Sequence, residues 1–315
     1  MNAPTIAEQI GTSESIKPRS RVAAVVTAYK PDAMFVARLE NTSLQVEHLF
    51  VVDNTPGGMA SNSENLPVNM TVIADGTNRG LAVALNAGIE EATRRGAEFV
   101  LLLDQDSTPP KDFVDDLLAG YWRVTERAKV AVVAPLMIDE RTGIPDVPKL
   151  EPRRMVNTGI YDWPSLPTSG MLIPVEVYHE IGQFDTDLFL DFVDFEWCWR
   201  ARSKGYLTCR VNKARLSHNL GFATRKLLMF TYCVPAPFRH YFQFRDTLNL
   251  ALRPYAPVFQ RLRMLCLIVA KCLVYPVILD SGLVRFKWMY LGVRDFVLKI
   301  KGVGSAECLL ERDQV

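Results

Sequence analysis

Between Arg21 and Pro135 the apolar positions fall into short unbroken runs separated by longer amphipathic stretches. Val22-Ala23-Ala24-Val25-Val26-Thr27 is one such run, and Tyr29-Lys30-Pro31 reads as the loop that ends it. His48-Leu49-Phe50-Val51-Val52-Asp53-Asn54 follows the same plan and stops at Pro56-Gly57-Gly58. Val68 to Ala74 is a third run, and Phe99-Val100-Leu101-Leu102-Leu103, ending in Asp104, is a fourth. Runs that are apolar throughout, rather than alternating, predict strands buried on both faces of a parallel sheet. The intervening stretches predict helices over roughly Ala33 to Ser43, over Leu81 to Arg95 with Gly96 as the stop, and from Pro109-Pro110 to about Thr125. Ala87 and Gly88 inside the second helix mark close packing. Val130 to Pro135 is a fifth strand. The alternation implies an open sheet with helices on both faces.

Beyond that the pattern changes. Asp139 to Pro167 is rich in Pro, Gly and Arg and reads as loop with short strands. Met171-Leu172-Ile173-Pro174 is a brief strand. Phe189 to Gly205 contains a helix carrying Glu196, Arg200 and Arg202, stopped by Lys204-Gly205. From near Phe238 the chain is helical, apolar and basic. The organisation expected is a disordered lead-in over 1–20, an α/β catalytic unit over 21–245 and a helical region over 246–315.

Composition narrows this little. The 36 Lys and Arg nearly cancel the 35 Asp and Glu, so no global charge points to a nucleic-acid partner. The six cysteines form no C-x-x-C pair and read as buried free thiols of a reducing compartment. The first 20 residues lack the apolar core of a secretory signal. Leu262 to Leu283 is strongly apolar, but Arg263, Lys271, Pro276 and Asp280 interrupt it, so it falls short of a membrane span. Arg285, Lys287, Trp288, Tyr290, Arg294, Lys299 and Lys301 follow. Such a mixture suits a helix lying on an anionic membrane surface, and equally a helical cap on the catalytic unit or a homodimer interface.

The candidate chemistry sits at strand ends. Thr27, Asp53 and Asp104 close three of the predicted strands, and in open α/β sheets the ligand lies at those carboxyl ends. No G-x-G-x-x-G or P-loop pattern follows the first strand. In Asp104-Gln105-Asp106, strand geometry carried one step further would aim both carboxylates the same way. Close carboxylates repel unless a cation joins them, and a hard divalent cation, Mg²⁺ or Mn²⁺, shares such oxygens with substrate phosphates. The alternative is that these residues cap the helix after Pro109. A second acidic group, Asp185, Asp187, Asp191, Asp194 and Glu196, is interleaved with Phe184, Phe189, Phe192, Phe195 and Trp197. Partial desolvation there suits a general base. The alternative is an acidic helix N-terminus with an ordinary Glu196–Arg200 pair.

Taken in order, these blocks resemble the family-2 inverting glycosyltransferases, and within them the rhamnosyltransferase-like enzymes of bacterial polysaccharide assembly. The resemblance runs from about Val22 to about Arg245. It rests on Val25-Val26-Thr27-Ala28-Tyr29, Val51-Val52-Asp53-Asn54, Asn78-Arg79-Gly80-Leu81-Ala82 with Asn86-Ala87-Gly88, Leu102-Leu103-Asp104-Gln105-Asp106-Ser107, and Phe192-Val193-Asp194-Phe195-Glu196-Trp197-Cys198-Trp199-Arg200. It implies a GT-A fold, a Rossmann-like and mostly parallel sheet with a C-terminal helical extension. It assigns Thr27, Tyr29, Asp53, Asn78, Gly80 and Asp104 to the nucleotide sugar, Asp106 to the metal, and Asp194 to the catalytic base. Val193 stands where many members have Glu, which keeps Asp191 and Glu196 as rival carboxylates. His218-Asn219-Leu220-Gly221 resembles a loop whose His completes the metal or diphosphate site. His240 to Asp246 resembles a segment ending Arg-Asn, with Asp246 in place of Asn, and offers Arg245 to a phosphate. The implied donor is dTDP-L-rhamnose, and the acceptor a saccharide or lipid-linked saccharide of cell-surface polysaccharide such as O-antigen. The implied location is the bacterial cytoplasm, peripheral to the inner face of the membrane. Two other readings stay open: a transferase using a UDP- or GDP-linked sugar, and a non-catalytic assembly scaffold.

Overall fold

The computed structural model describes residues 20–59, 66–140, 142–145, 154–218, 223–227 and 230–306. The lead-in expected over 1–20 lies, apart from Ser20, outside the described residues. In chain order the elements are β1 (Val22–Ala28), α1 (Phe35–Ser43), β2 (His48–Asp53), β3 (Met70–Ala74), α2 (Leu81–Arg94), β4 (Phe99–Asp104), α3 (Phe113–Thr125), β5 (Val130–Asp139), β6 (Arg154–Asn157), β7 (Ile160–Asp162), β8 (Leu172–Pro174), α4 (Val175–Ile181), α5 (Val193–Ser203), β9 (Leu207–His218), β10 (Ala223–Leu227), β11 (Phe230–Val234), α6 (Arg239–Ala251), α7 (Val258–Ile278) and α8 (Gly282–Val297).

Nine strands form one sheet in the order β3-β2-β1-β4-β8-β5-β9-β7-β6. The block β3-β2-β1-β4 is parallel, β5 and β9 pair parallel, and β8 and β7 run against their neighbours. This is the mostly parallel α/β sheet expected, and its central strands are buried on both faces as their unbroken apolar runs require. One core layer packs Val25, Val52, Val100 and Leu102 against Leu85 and Ile89 of α2 and Trp197 of α5. The other packs Val26, Val51, Leu101 and Leu103 against Phe35 of α1 and Leu117 of α3. Gly88 is needed here: a Cβ would stand 2.3 Å from the Val25 side chain.

Two expectations require correction. The helix after the D-x-D stretch begins at Phe113, not at Pro109, because Pro110 instead closes a turn that accepts the Phe113 N–H. Residues 207–218 form a long strand, β9, that was not anticipated. Helix α6 runs unbroken through 245/246, the expected edge of the catalytic unit. Its Leu250, and Ala256 just beyond its end, sit in the same core layer as the sheet.

Candidate active site

The register of the central strands places the polar strand ends side by side. Thr27 lies opposite Val52 of β2 and Asp104 of β4, and Ala28 lies opposite Asp53. The loops that follow are tied together. The Tyr29 N–H donates to Gln105 Oε1 at 2.7 Å, Arg38 Nε to the Gln105 carbonyl at 3.3 Å, and the Lys30 N–H to Thr55 Oγ1 at 2.8 Å. Asp53 is buried and shapes its own loop: its carboxylate accepts the Thr55 N–H at 2.9 Å and the Met59 N–H at 2.6 Å. Each oxygen keeps a second lone pair for a donor on a ligand. The Tyr29 ring is exposed.

Asp104 is the last residue of β4, and the chain turns at once. The Ser107 N–H closes that turn on the Asp104 carbonyl at 3.1 Å, and Ser107 Oγ meets Ser169 Oγ at 2.7 Å. Asp106 therefore stands on the turn and is exposed, so strand alternation is not what pairs it with Asp104. The capping alternative fails as well. The cap position of α3 is Asp112, whose side chain makes no capping bond, and the Val114 N–H is met instead by Gln45 Oε1 at 3.2 Å. Asp106 makes no ion pair with another described residue, and oxygen-only carboxylate donors on one turn suit a hard divalent ion. Among the described residues no group of three or more His, Cys, Asp or Glu assembles, so such an ion would share its remaining shell with substrate phosphates. His218 ends β9 with its backbone opposite Asp139, but its side chain lies outside the described residues.

Asn78 and Gly80 join the two halves of the site. Asn78 Oδ1 accepts the Gly80 N–H at 3.1 Å, and Asn54 Nδ2 donates to the Gly80 carbonyl at 3.0 Å. Gly80 has φ 89° and ψ 166°, and a Cβ there would stand 2.6 Å from the Phe189 ring. Next to it the Leu81 N–H donates to the Phe189 carbonyl at 2.7 Å. Asn86 secures the same region by donating to the Phe184 carbonyl at 2.9 Å and accepting from Tyr178 Oη at 2.8 Å.

From that anchored loop the chain enters α5 through Phe192, whose φ of 69° turns it sharply, and Asp194 falls in the first helical turn. Burial pushes the Asp194 carboxyl up to about 7, and the negative charges of Asp104 and Asp191 push the same way against the Phe195 N–H that it accepts. Asp194 and Asp104 thus act on each other. The rival carboxylates are committed elsewhere. Glu196 is buried, receives Arg200 at 2.7 Å and 3.0 Å, and accepts from Tyr255 Oη at 2.6 Å. Asp191 is paired with Arg239.

Arg245 does not reach the strand ends. It is fully buried and donates to Asp246 at 2.7 Å, to the Gly302 carbonyl at 2.5 Å and to the Asp187 carbonyl at 3.3 Å. Asp246 in place of Asn supplies the carboxylate that holds it there. Its place is therefore behind the acceptor-side loop rather than on a phosphate. Sequence reasoning also passed over Ser169, Gln105 and Arg38, which fix the D-x-D turn. The polar Thr168-Ser169-Gly170 ahead of a short apolar run was the available signal for the first.

This is the architecture of a nucleotide-sugar transferase: a parallel sheet with an acidic turn at its carboxyl edge and a desolvated carboxylate facing it. Residues 33–159 match the family model described as Glycosyl transferase family 2. Over 253 residues the chain is 28% identical to the dTDP-rhamnosyl transferase RfbF of Shigella flexneri, covering 78% of this chain and 84% of that protein. Among solved structures, residues 1–349 of S. aureus TarS superpose with a TM-score of 0.55 at 14% identity, covering 88% of this chain and 80% of that one. GalNAc-T7 solved with UDP, GalNAc and Mn²⁺ gives a TM-score of 0.50 at 15% identity, covering 78% of this chain, which spans about half (53%) of that one. Over residues 33–159 the chain is thus similar to the family-2 glycosyltransferases, and over most of its length it is rhamnosyltransferase-like in sequence.

Proposed function

We propose that this chain transfers an L-rhamnosyl group from dTDP-L-rhamnose to a saccharide or lipid-linked saccharide acceptor by a single inverting displacement, in the assembly of a cell-surface polysaccharide. The observation that carries it is a desolvated carboxylate, Asp194, close enough to Asp104 at the end of β4 to be raised by its negative charge, with Asp106 on the turn that follows. Likeness to the Shigella rhamnosyl transferase supports the choice of donor.

Thr27, Tyr29 and Asp53 line the edge for base and ribose, with Asp53 holding the loop that borders it. Asp104 approaches the ribose or diphosphate. Asp106, with His218 as its partner from β9, would hold a divalent cation, Mg²⁺ or Mn²⁺. That ion supplies charge neutralisation for the leaving diphosphate. Asn78 and Gly80 keep the acceptor-side loop against the start of α2. Asp194 removes the proton from the acceptor hydroxyl as that oxygen forms its bond to the anomeric carbon and the bond to the diphosphate breaks. A carboxyl poised near neutrality is matched to this task. The reading places the reaction on the cytoplasmic side of the membrane, where nucleotide sugars are available.

Calorimetric titration with dTDP-rhamnose, UDP-glucose and GDP-mannose, with and without Mn²⁺, tests the donor. The expected result is selective, metal-dependent binding of dTDP-rhamnose that Asp106→Ala abolishes. Tight binding of another donor overturns the sugar assignment, and metal-independent binding unaffected by Asp106→Ala overturns the metal role.

A further inference from the structure

Helix α7 is amphipathic in the reverse of the usual sense. Its only buried residue is Ile268. Its outward positions recur at helical spacing as Phe259, Leu262, Val269, Leu273 and Val277, with Leu273 72% and Val277 83% exposed. Helix α8 continues the surface with Leu283 (84% exposed), Phe286, Tyr290, Val293 and Val297. The two helices pack on each other and on α6, so their outward faces adjoin. A large contiguous apolar face is rare on a free surface and marks a docking site.

The charge around it selects the occupant. Residues 253–306 hold nine Lys and Arg against two Asp, in a chain whose net charge is only +1, so this end is basic and the rest of the molecule acidic. One of the two acids, Asp295, is buried and bonded to Tyr241 and Arg294. Arg263, Lys287, Lys299 and Lys301 are exposed on or beside the face. Trp288 and Arg285, by contrast, are buried and belong to the packing of α8 on α6. Two copies meeting through this face would bring like charges together, whereas an anionic bilayer offers both the apolar phase and the opposite charge. No helix of the described residues is long and apolar enough to cross a membrane, so the face lies in the interface plane.

We propose that the outward faces of α7 and α8 seat this protein peripherally on an anionic lipid surface. The seat is coupled to the active-site loop. Asp187 pairs with Lys301 at 2.7 Å and its carbonyl accepts from Gly302, while Phe189 stacks on Phe242 of α6 beside Trp288. Docking therefore holds the segment that leads to Asp194 close to the lipid headgroups. The value of this for catalysis rests on the lipid-linked acceptor proposed above, whereas the docking itself does not.

The test is flotation of the full chain, without donor, on vesicles of phosphatidylcholine alone and of equal parts phosphatidylcholine and phosphatidylglycerol, together with its sedimentation behaviour in solution. The expected result is partition onto the anionic vesicles only, reduced by high salt. Lys287→Glu with Lys299→Glu weakens it by on the order of tenfold or more. Leu273→Glu with Val277→Glu abolishes it. Both variants keep the far-ultraviolet spectrum and dTDP binding of the parent. No partition onto either vesicle, partition untouched by the variants, or a stable dimer that Leu273→Glu with Val277→Glu dissociates each overturns the proposal. Donor binding is read separately, so failure of the docking and failure of the transferase assignment are distinguishable.

Discussion

Asp194 combines two properties that oppose each other in one carboxyl group. Its burial raises the carboxyl from 3.8 to about 7, which sets its basicity for an acceptor hydroxyl and at the same time disfavours the charged form. In the proposed role as base Asp194 must be deprotonated, so kcat/KM is expected to rise with pH through an apparent pKa near 7 and level off above it. Asp194→Asn is expected to lower kcat by at least about a hundredfold while leaving dTDP binding intact. The stability effect has the opposite sign. A carboxyl raised in the folded state contributes stability below about pH 4 that is lost as pH rises through about 7. At pH 8 the variant is therefore expected to be more stable than the parent by on the order of 1–3 kcal/mol, the difference vanishing near pH 4. Denaturant melts at the two pH values check this. A variant less stable at pH 8 would show that the carboxylate is held by favourable partners instead, and near-normal turnover would move the base elsewhere.

At the scale of elements the decisive junction is the start of α2 against the acceptor-side loop. Gly80 occupies a backbone region that essentially only glycine adopts, and it has the Phe189 ring and carbonyl where a side chain would stand. Gly80→Ala is expected to be about 2–5 kcal/mol less stable, combining backbone strain with overpacking. Because the displaced loop leads to Asp194, kcat falls along with Tm, whereas a loop that moved freely would leave kcat unchanged. The motif Asn78-Arg79-Gly80 was legible in the sequence as a block near the nucleotide. Its clamp on Phe189 was not, since it joins residues about a hundred positions apart. The parallel core was legible because strands buried on both faces must be apolar throughout. Strand β9 was missed for a definite reason. Leu207, Cys209 and Val211 alternate properly, then Asn212-Lys213 shifts the phase so that Ala214 and Leu216 turn inward, matching the register shift after Val211. A two-residue period with one slip looks aperiodic. The cysteine reading failed at Cys266, which is exposed on α7 because that helix turns its apolar face outward.

For the whole molecule, the packing of α6 argues against a separable helical appendage. Its first half faces α8: Tyr241 Oη donates to Asp295 at 2.6 Å, and Gly292 leaves no room for a Cβ, which would stand 2.4 Å from the Tyr241 carbonyl. Its second half carries Leu250 into the core layer of the sheet, and the segment that follows adds Ala256 to that layer and Tyr255, which bonds Glu196 of α5. Arg245, midway, bonds Asp246 on its own helix, Asp187 on the active-site loop and Gly302 beyond α8. An uncompensated buried cation is strongly unfavourable, so removing one of these layers would leave Arg245 and Asp246 without the enclosure that fixes their pairing. The expected outcome is a single cooperative endotherm for the full chain, shifted upward as a unit by dTDP. Deleting α7 and α8 is then expected to abolish that endotherm rather than remove a separate one. Two resolved transitions, only one of them sensitive to dTDP, would instead mean that the helices fold independently and that Arg245 contributes nothing to the loop bearing Asp187. A single transition makes the proposed membrane seating and catalysis properties of one cooperative unit, so that a substitution between α6 and α8 is felt at Asp194, roughly fifty to a hundred residues away in sequence.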